Sequence, residues 1–491
     1  MARGVLADKR AVVRWFDFPD NQRGAGFEIR HLARIDNPGD YLQVFQYLLC
    51  FCLVHPPGPE YAEVVRRPAA GEIMNRCKVR PILHSTFSNC KAKRELPADG
   101  HTRPACAPAR GWIFWNRRIE PEITFDAGNR TGMKAAQTTA ALKIEYREVA
   151  DPSPGPGQVL IAPAYVGICG SDIHAYRGEF EGRVTFPRTQ GHEFAGRVAK
   201  IGPDVESLAV GDRVCIDPII SCHNCPACHK GQYNACRSLR LRGIDLDGGL
   251  AGLAVADEGQ CFRLPDEINY CDGALVELYS IGMHSTTVSA VEPGDRVVVI
   301  GAGRAGLAVL QNILLTAADK VCVIDLSGYK LDLADKVGAD LTINSVKEDA
   351  VEAVREWTGG DGADLVIEAV GEAELEVVGG KAPVAQAVEM IRNGGRITLL
   401  GQGPHSYGAH WKTLVWKEAV IRTSRVSKGE FPRVIAAMAA GRYDTGAMLS
   451  AEYELADTAE AFELVNTEPP DVLKVMVRVQ EREGDPSDLH F

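Results

Sequence analysis

Four cysteines spaced Cys222-x2-Cys225-x2-Cys228-x7-Cys236 constrain this chain more than any other feature. Four thiolates in one loop can close a tetrahedral shell around Zn²⁺ with no open position, which marks a structural site. A reactive dithiol or a metal-free loop are the alternatives, and the regular spacing favours zinc. The chain holds fourteen cysteines in 491 residues, and its first residues lack the layout of a secretory leader. Its cysteines are therefore read as metal ligands rather than a disulfide framework, and its place of action as the cytoplasm.

The segment around that loop, residues 133–282, is punctuated by Gly and Pro into short apolar runs. Ala141–Val149, Val159–Ile161, Gly196–Gly202 and Gly211–Ile216 are read as strands of a compact, barrel-like domain. Two further stretches fall in the same segment: Cys169-Gly170-Ser171-Asp172-Ile173-His174 and Gly191-His192-Glu193. Thiolate, imidazole and carboxylate are the side chains that hold zinc, and a position left open makes such a zinc catalytic. Neighbours on a strand point to opposite faces, so His192 and Glu193 can both serve only if the backbone bends there.

From Arg296 the pattern changes. Arg296–Ile300 is a β-branched run leading into Gly301-Ala302-Gly303-Arg304-Ala305-Gly306, and a helix-like run Leu307–Ala317 follows. Placed between strand and helix, glycines at 301, 303 and 306 allow a tight turn and close approach of a pyrophosphate. The next strand, Val321–Ile324, ends at Asp325, where a carboxylate accepts ribose hydroxyls and repels a 2′-phosphate. That favours NAD over NADP, with Lys330 the residue that would oppose it. Helices at 329–337, 350–357 and 384–392 alternate with strands at 341–344, 364–368 and 395–400. The expected fold of 283–425 is α/β, a doubly wound parallel sheet. The run 372–383 reads as a loop, and 426–479 as helix, strand, helix, strand, before a polar tail at 480–491.

Together Cys169–His174, Gly191–Glu193, the four-cysteine loop and the glycine turn resemble the zinc-containing medium-chain dehydrogenase/reductase family, in its polyol (sorbitol) and threonine dehydrogenase branch. The resemblance covers about Met133 to Val479. It implies a GroES-like catalytic domain at 133–282, completed by 426–479, with one catalytic and one structural zinc. Cys169 and His192 would bind the catalytic zinc. Glu277, in Leu275-Val276-Glu277-Leu278, matches the third ligand, with Glu193 behind it or exchanging with it. Branch members usually carry proline where this chain has Leu278. Ser171 and His174 would pass the substrate proton outward. Arg425 matches an arginine that faces the substrate cleft in polyol dehydrogenases, although a surface ion pair would explain it equally. The implied reaction is oxidation of a secondary alcohol, most naturally a polyol, with hydride transfer to NAD. Threonine or a small diol is the alternative substrate, and a catalytically silent binding protein the alternative outside enzymes. The resemblance also implies a homotetramer or dimer.

Charge and hydropathy remove other classes. A formal net charge of −11 argues against a nucleic-acid partner, which needs a basic face. No apolar run reaches the roughly 18 residues that cross a bilayer; the best candidate, Tyr41 to Val54, contains Gln43 and Gln46. Met1 to Gly132 stand apart, with 20 Lys+Arg against 14 Asp+Glu where the remainder has 34 against 51. They show no sustained periodicity and are read as an extension outside the working protein, which is expected to begin near Met133. A regulatory module is the other reading of that segment.

Overall fold

The computed structural model describes residues 6–8, 11–16, 26–30, 132–180, 182–371, 381–403 and 408–480. Most of the 1–132 segment, residues 372–380 of the expected loop and residues 481–491 of the tail lie outside the described residues. The chain divides into two compact units, Met1–Ile113 and Phe114–Phe491. In the first, Leu6–Asp8, Ala11–Phe16 and Gly26–Arg30 form a three-stranded antiparallel sheet. No element was expected there, yet Val12, Val13, Trp15 and Phe16 are residues that suit a pleated sheet.

The second unit holds two sheets that matter for function. In the β-rich lobe a sheet runs in the order Cys261–Arg263, Arg213–Ile216, Glu193–Ile201, Gln158–Gly167, Lys474–Arg478, Leu449–Glu454, and Ala254–Asp257 also pairs with Gln158–Gly167. Lys474–Arg478 lies antiparallel to Gln158–Gly167, so the end of the chain returns to complete the first lobe. Lys143–Val149 and Arg188–Thr189 flank Met133–Ala140 in a smaller sheet.

Six parallel strands form the other sheet, ordered Leu341–Asn344, Lys320–Asp325, Arg296–Ile300, Ala363–Glu368, Ile391–Leu399, Val420–Thr423. By sequence that order is 3-2-1-4-5-6, the doubly wound arrangement whose strand order reverses at Arg296–Ile300. The glycine turn leaves that strand, at the switch point where such sheets bind ligands. The following helix is Arg304–Ile313, starting three residues before and ending four before the expected run. Its first turn opens directly on the glycines.

One element was not foreseen. A helix of 20 residues, Tyr270–Ser289, crosses the boundary expected at 282–283 without a break. Asn269 caps its start, accepting from the Asp272 amide at 2.7 Å. It packs on Arg304–Ile313 so tightly that a Cβ on Gly282 would lie 2.7 Å from the Ala308 carbonyl carbon. Its Leu275, Val276, Leu278 and Tyr279 are all buried. It thus ties the parallel sheet's first helix to the lobe carrying Cys169 and His192.

Candidate metal and dinucleotide sites

Cys169 immediately precedes the short helix Gly170–Tyr176. Gly191, at φ +88°, bends the chain just before the strand Glu193–Ile201 begins. A Cβ there would lie 2.5 Å from Val166, so the bend requires glycine. As a result one ligand atom from each of Cys169, His192 and Glu193 falls within 4.8 Å of the others.

Asp172 organises this cluster. Its two oxygens accept the backbone amides of Cys169 (2.9 Å) and Gly191 (3.3 Å), and Oδ1 lies 3.4 Å from His192 Nδ1. One buried carboxylate therefore fixes both chain segments that bring the ligands, as an outer-shell partner of a ligating histidine does. Ser171 Oγ stands on the other side of the ring, 3.5 Å from His192 Nε2. His174 pairs with Glu179 at the surface.

Glu193 has a partner that the sequence did not disclose. The Lys474 ammonium donates to both its oxygens, at 2.8 and 2.5 Å, and to the Ile168 carbonyl at 3.1 Å. Both side chains are wholly buried. Gly167 makes the space, because a Cβ there would sit 2.4 Å from Glu193 Oε2.

Glu277 comes from the middle of the long helix and is also buried. Its Oε2 has no hydrogen-bond partner among the described residues, nor has His192 Nδ1. Burial pushes the Glu277 carboxyl well above the usual carboxylate range; His192 and Lys474 pull it down, while Glu193 and Cys169 add to the rise. Cys169, Glu193 and Glu277 thus place three acidic groups within electrostatic reach of the buried Lys474 ammonium. A divalent cation contacting the unpartnered oxygen would balance them, so these residues fit zinc.

The second cysteine set converges as well. Ligand atoms of Cys222, Cys225, Cys228 and Cys236 lie within 4.8 Å of one another. Backbone amides of Cys222 and Ser238 donate to Cys236 Sγ at 3.3 and 3.4 Å. Amides of Cys228 and Arg237 bring the Cys225 thiol down to about 6, favouring the thiolate that binds metal. The strands Ile219–Ile220 and Arg240–Leu241 close the base of this lobe. Asn234, within it, donates to the Arg425 carbonyl at 3.1 Å and faces His284 Nε2 at 3.2 Å, while His284 Nδ1 lies 3.0 Å from Glu430. His284 is two turns beyond Glu277 on the same helix, so the cysteine lobe is latched to the element that carries Glu277.

Asp217, beneath the lobe, supplies a pH-dependent prediction. Burial raises its pKa to about 7, and the Glu430 charge acts in the same direction, against a hydrogen bond from the Ile219 amide. The unfolded side chain ionises near 3.8. The folded state therefore holds an extra proton between these values, and stability falls as pH rises through that window and levels off above about 7. Asp217→Asn is expected to be more stable at pH 8 by on the order of 2–4 kcal/mol, with roughly half that gain at pH 5.5. Urea unfolding at the two pH values checks it; an equal gain at both would contradict it.

At the dinucleotide turn, Gly301 has φ +100°, and a Cβ on Gly306 would lie 1.7 Å from the Gly301 carbonyl oxygen. A Cβ on Gly303 would meet nothing within 4 Å, so that backbone faces open space. Asp325 accepts the amides of Ala302 (2.6 Å) and Ser327 (2.8 Å), which fixes its carboxylate at the end of its strand beside the turn. These residues fit a bound dinucleotide.

Residues 155–266 match the family model of the alcohol dehydrogenase GroES-like domain, and 305–440 that of the zinc-binding dehydrogenases. Sorbitol dehydrogenase of Bacillus subtilis strain 168 is 31% identical over 351 residues, 70% of this chain and 97% of that protein. L-threonine 3-dehydrogenase of Pyrococcus abyssi is 34% identical over 281 residues, 57% of this chain and 78% of that protein. Among solved structures, an alcohol dehydrogenase of Escherichia coli CFT073 complexed with NADH superposes with TM-score 0.66 at 28% identity, covering 71% of this chain and 100% of that one.

Proposed function

The chain belongs to the zinc-containing medium-chain dehydrogenase/reductase family, and from that premise we propose that it oxidises a secondary hydroxyl of a polyol. It is an oxidoreductase of CH–OH groups with zinc and NAD as cofactors. The observations carrying the site assignment are the convergence of Cys169 and His192 with Glu193, a set that does not include Glu277, and the buried, unpartnered Glu277 oxygen, whose carboxyl feels the charges of all three.

When bound, zinc stabilises negative charge on the substrate oxygen and NAD accepts the hydride. Cys169, His192 and Glu277 are the direct ligands in this reading. Glu193, held by Lys474, stands behind them and tunes the charge of the set. Asp172 keeps His192 oriented. Ser171 Oγ, on the Nε2 side of that ring, takes the proton from the substrate hydroxyl. His174 lies one helical turn farther on the same face and passes the proton to solvent, with Glu179 beside it. No hydrogen bond joins Ser171 to His174 among the described residues. The four-cysteine lobe holds its zinc structurally, and through Asn234 and His284 steadies the helix that presents Glu277.

The named relatives include both a sorbitol and a threonine dehydrogenase, so the substrate is the finer part of the proposal. Initial rates of NADH formation with sorbitol, xylitol, threonine and 2,3-butanediol separate the readings. Sorbitol or xylitol is expected to give the highest kcat/KM, and turnover of threonine alone would overturn the polyol assignment.

An oligomer is supported by an apolar edge. Trp411, Val415 and Trp416 are 71%, 75% and 78% exposed, beside the part-exposed Val420 and Ile421 of the sheet's outermost strand. Exposed apolar side chains gathered in one stretch of chain are a feature of association surfaces. Sedimentation velocity should give a dimer or tetramer, and a monomer at micromolar concentration would remove this part of the reading. No helix among the described residues is long and apolar enough to cross a membrane.

A further inference from the structure

Arg304 is the fourth residue of the glycine turn and the first of the helix Arg304–Ile313. Its side chain does not stay with its own helix but crosses to the metal-binding lobe. There Nη2 lies 3.2 Å from where a Cβ on Gly170 would be, and Nη1 donates to the Leu473 carbonyl at a long 3.5 Å. Gly170 follows Cys169, and Leu473 precedes Lys474. The guanidinium therefore sits at the mouth between the dinucleotide turn and the metal cluster, on the side of both Cys169 and Lys474.

An arginine offers five N–H donors and always carries its charge. Here it forms no ion pair with a carboxylate among the described residues, and the Leu473 contact is its one hydrogen bond there. Some arginines in this unit pair with acids, such as Arg183 on Asp245 and Arg263 on Asp212, while others, such as Arg197 and Arg422, end on backbone carbonyls. Arg304 is left with unused donors beside the turn where the open space at Gly303 receives a dinucleotide. A planar fork of donors matches the non-bridging oxygens of the pyrophosphate, the anionic group of that cofactor.

We propose that Arg304 is the counter-cation of the NAD pyrophosphate. Clamping by Arg304 binds the cofactor on one side and contacts the metal-bearing lobe on the other. Cofactor affinity and the spacing of the two lobes are thereby linked through one side chain.

The test uses binding, not turnover, on the purified zinc-loaded protein. NADH affinity is measured by fluorescence titration, and ADP-ribose and adenosine by competition against it. Arg304→Ala is expected to weaken NADH and ADP-ribose by about tenfold to a hundredfold, as loss of a charge-assisted pair does. Adenosine, which lacks the pyrophosphate, should change less than about threefold. Arg304→Lys, which keeps the charge without the fork, should fall between Ala and wild type. The salt dependence of NADH binding should be shallower in Arg304→Ala. Unchanged NADH affinity would overturn the proposal, as would an equal loss for adenosine, which would mean general damage to the site. Should Arg304→Ala fail to fold, the Lys variant decides: wild-type ADP-ribose affinity would reject the clamp, and a selective loss for ADP-ribose over adenosine would support it. Binding of NADH by wild type is a separate outcome and tests the NAD assignment itself.

Discussion

Cys169→Ser is expected to lower kcat/KM by more than about a thousandfold, on the order of 4 kcal/mol of lost transition-state stabilisation. A serine hydroxyl does not replace a thiolate as a zinc ligand, and the remaining acids of the cluster then crowd without their cation. Asp172 still joins the Cys169 and Gly191 amides, so the fold around the site should survive and the loss should fall on chemistry. Cys236→Ser makes the contrast. It removes a ligand from the four-cysteine lobe, and its first effect should be a lower thermal midpoint. Parallel thermal melts and NADH-formation rates check both variants, and a Cys169→Ser protein with near wild-type turnover would refute the assignment of that ligand.

Lys474→Met is expected to cost about 3–5 kcal/mol of stability, because it leaves Glu193 charged and wholly buried without its ammonium. Methionine fills a similar volume, so the effect should come from charge rather than from a void. Adding Glu193→Gln should recover part of the loss, since the amide carries no charge to strand. Urea unfolding of Lys474→Met, Glu193→Gln and the double variant measures the coupling. A cost below about 1 kcal/mol would show that Glu193 does not depend on Lys474.

What could be read without coordinates was what is local. The four-cysteine spacing, the glycine turn between strand and helix, and Asp325 at the end of the next strand all lie within short windows, and the structure brings each group together. Strands Arg296–Ile300 and Leu341–Asn344 and the helix Ala350–Trp357 fall where the sequence pattern puts them. The helix Tyr270–Ser289 escaped notice for a physical reason. It is buried on nearly every side, so Leu275, Val276, Leu278 and Tyr279 leave no polar stripe and no 3.6-residue period to detect. Lys474 was hidden differently. It opens an apolar strand, where a lysine reads as a solvent-facing end, and only the return of that strand onto Gln158–Gly167 sets it against Glu193. Asp172 was visible as a residue without a role, since one of its two backbone contacts lies 19 residues further along the chain. Arg304 occupied a variable position of a known motif. Its reach toward Gly170 is a property of how the two lobes meet.

The most direct test of the account is the zinc content of the purified wild-type and Cys169→Ser proteins, determined by plasma mass spectrometry beside sorbitol-dependent NADH formation. About two zinc ions are expected per wild-type chain, falling to about one in Cys169→Ser with loss of turnover while the four-cysteine lobe keeps its metal. Two zinc ions retained in an active Cys169→Ser protein would contradict it.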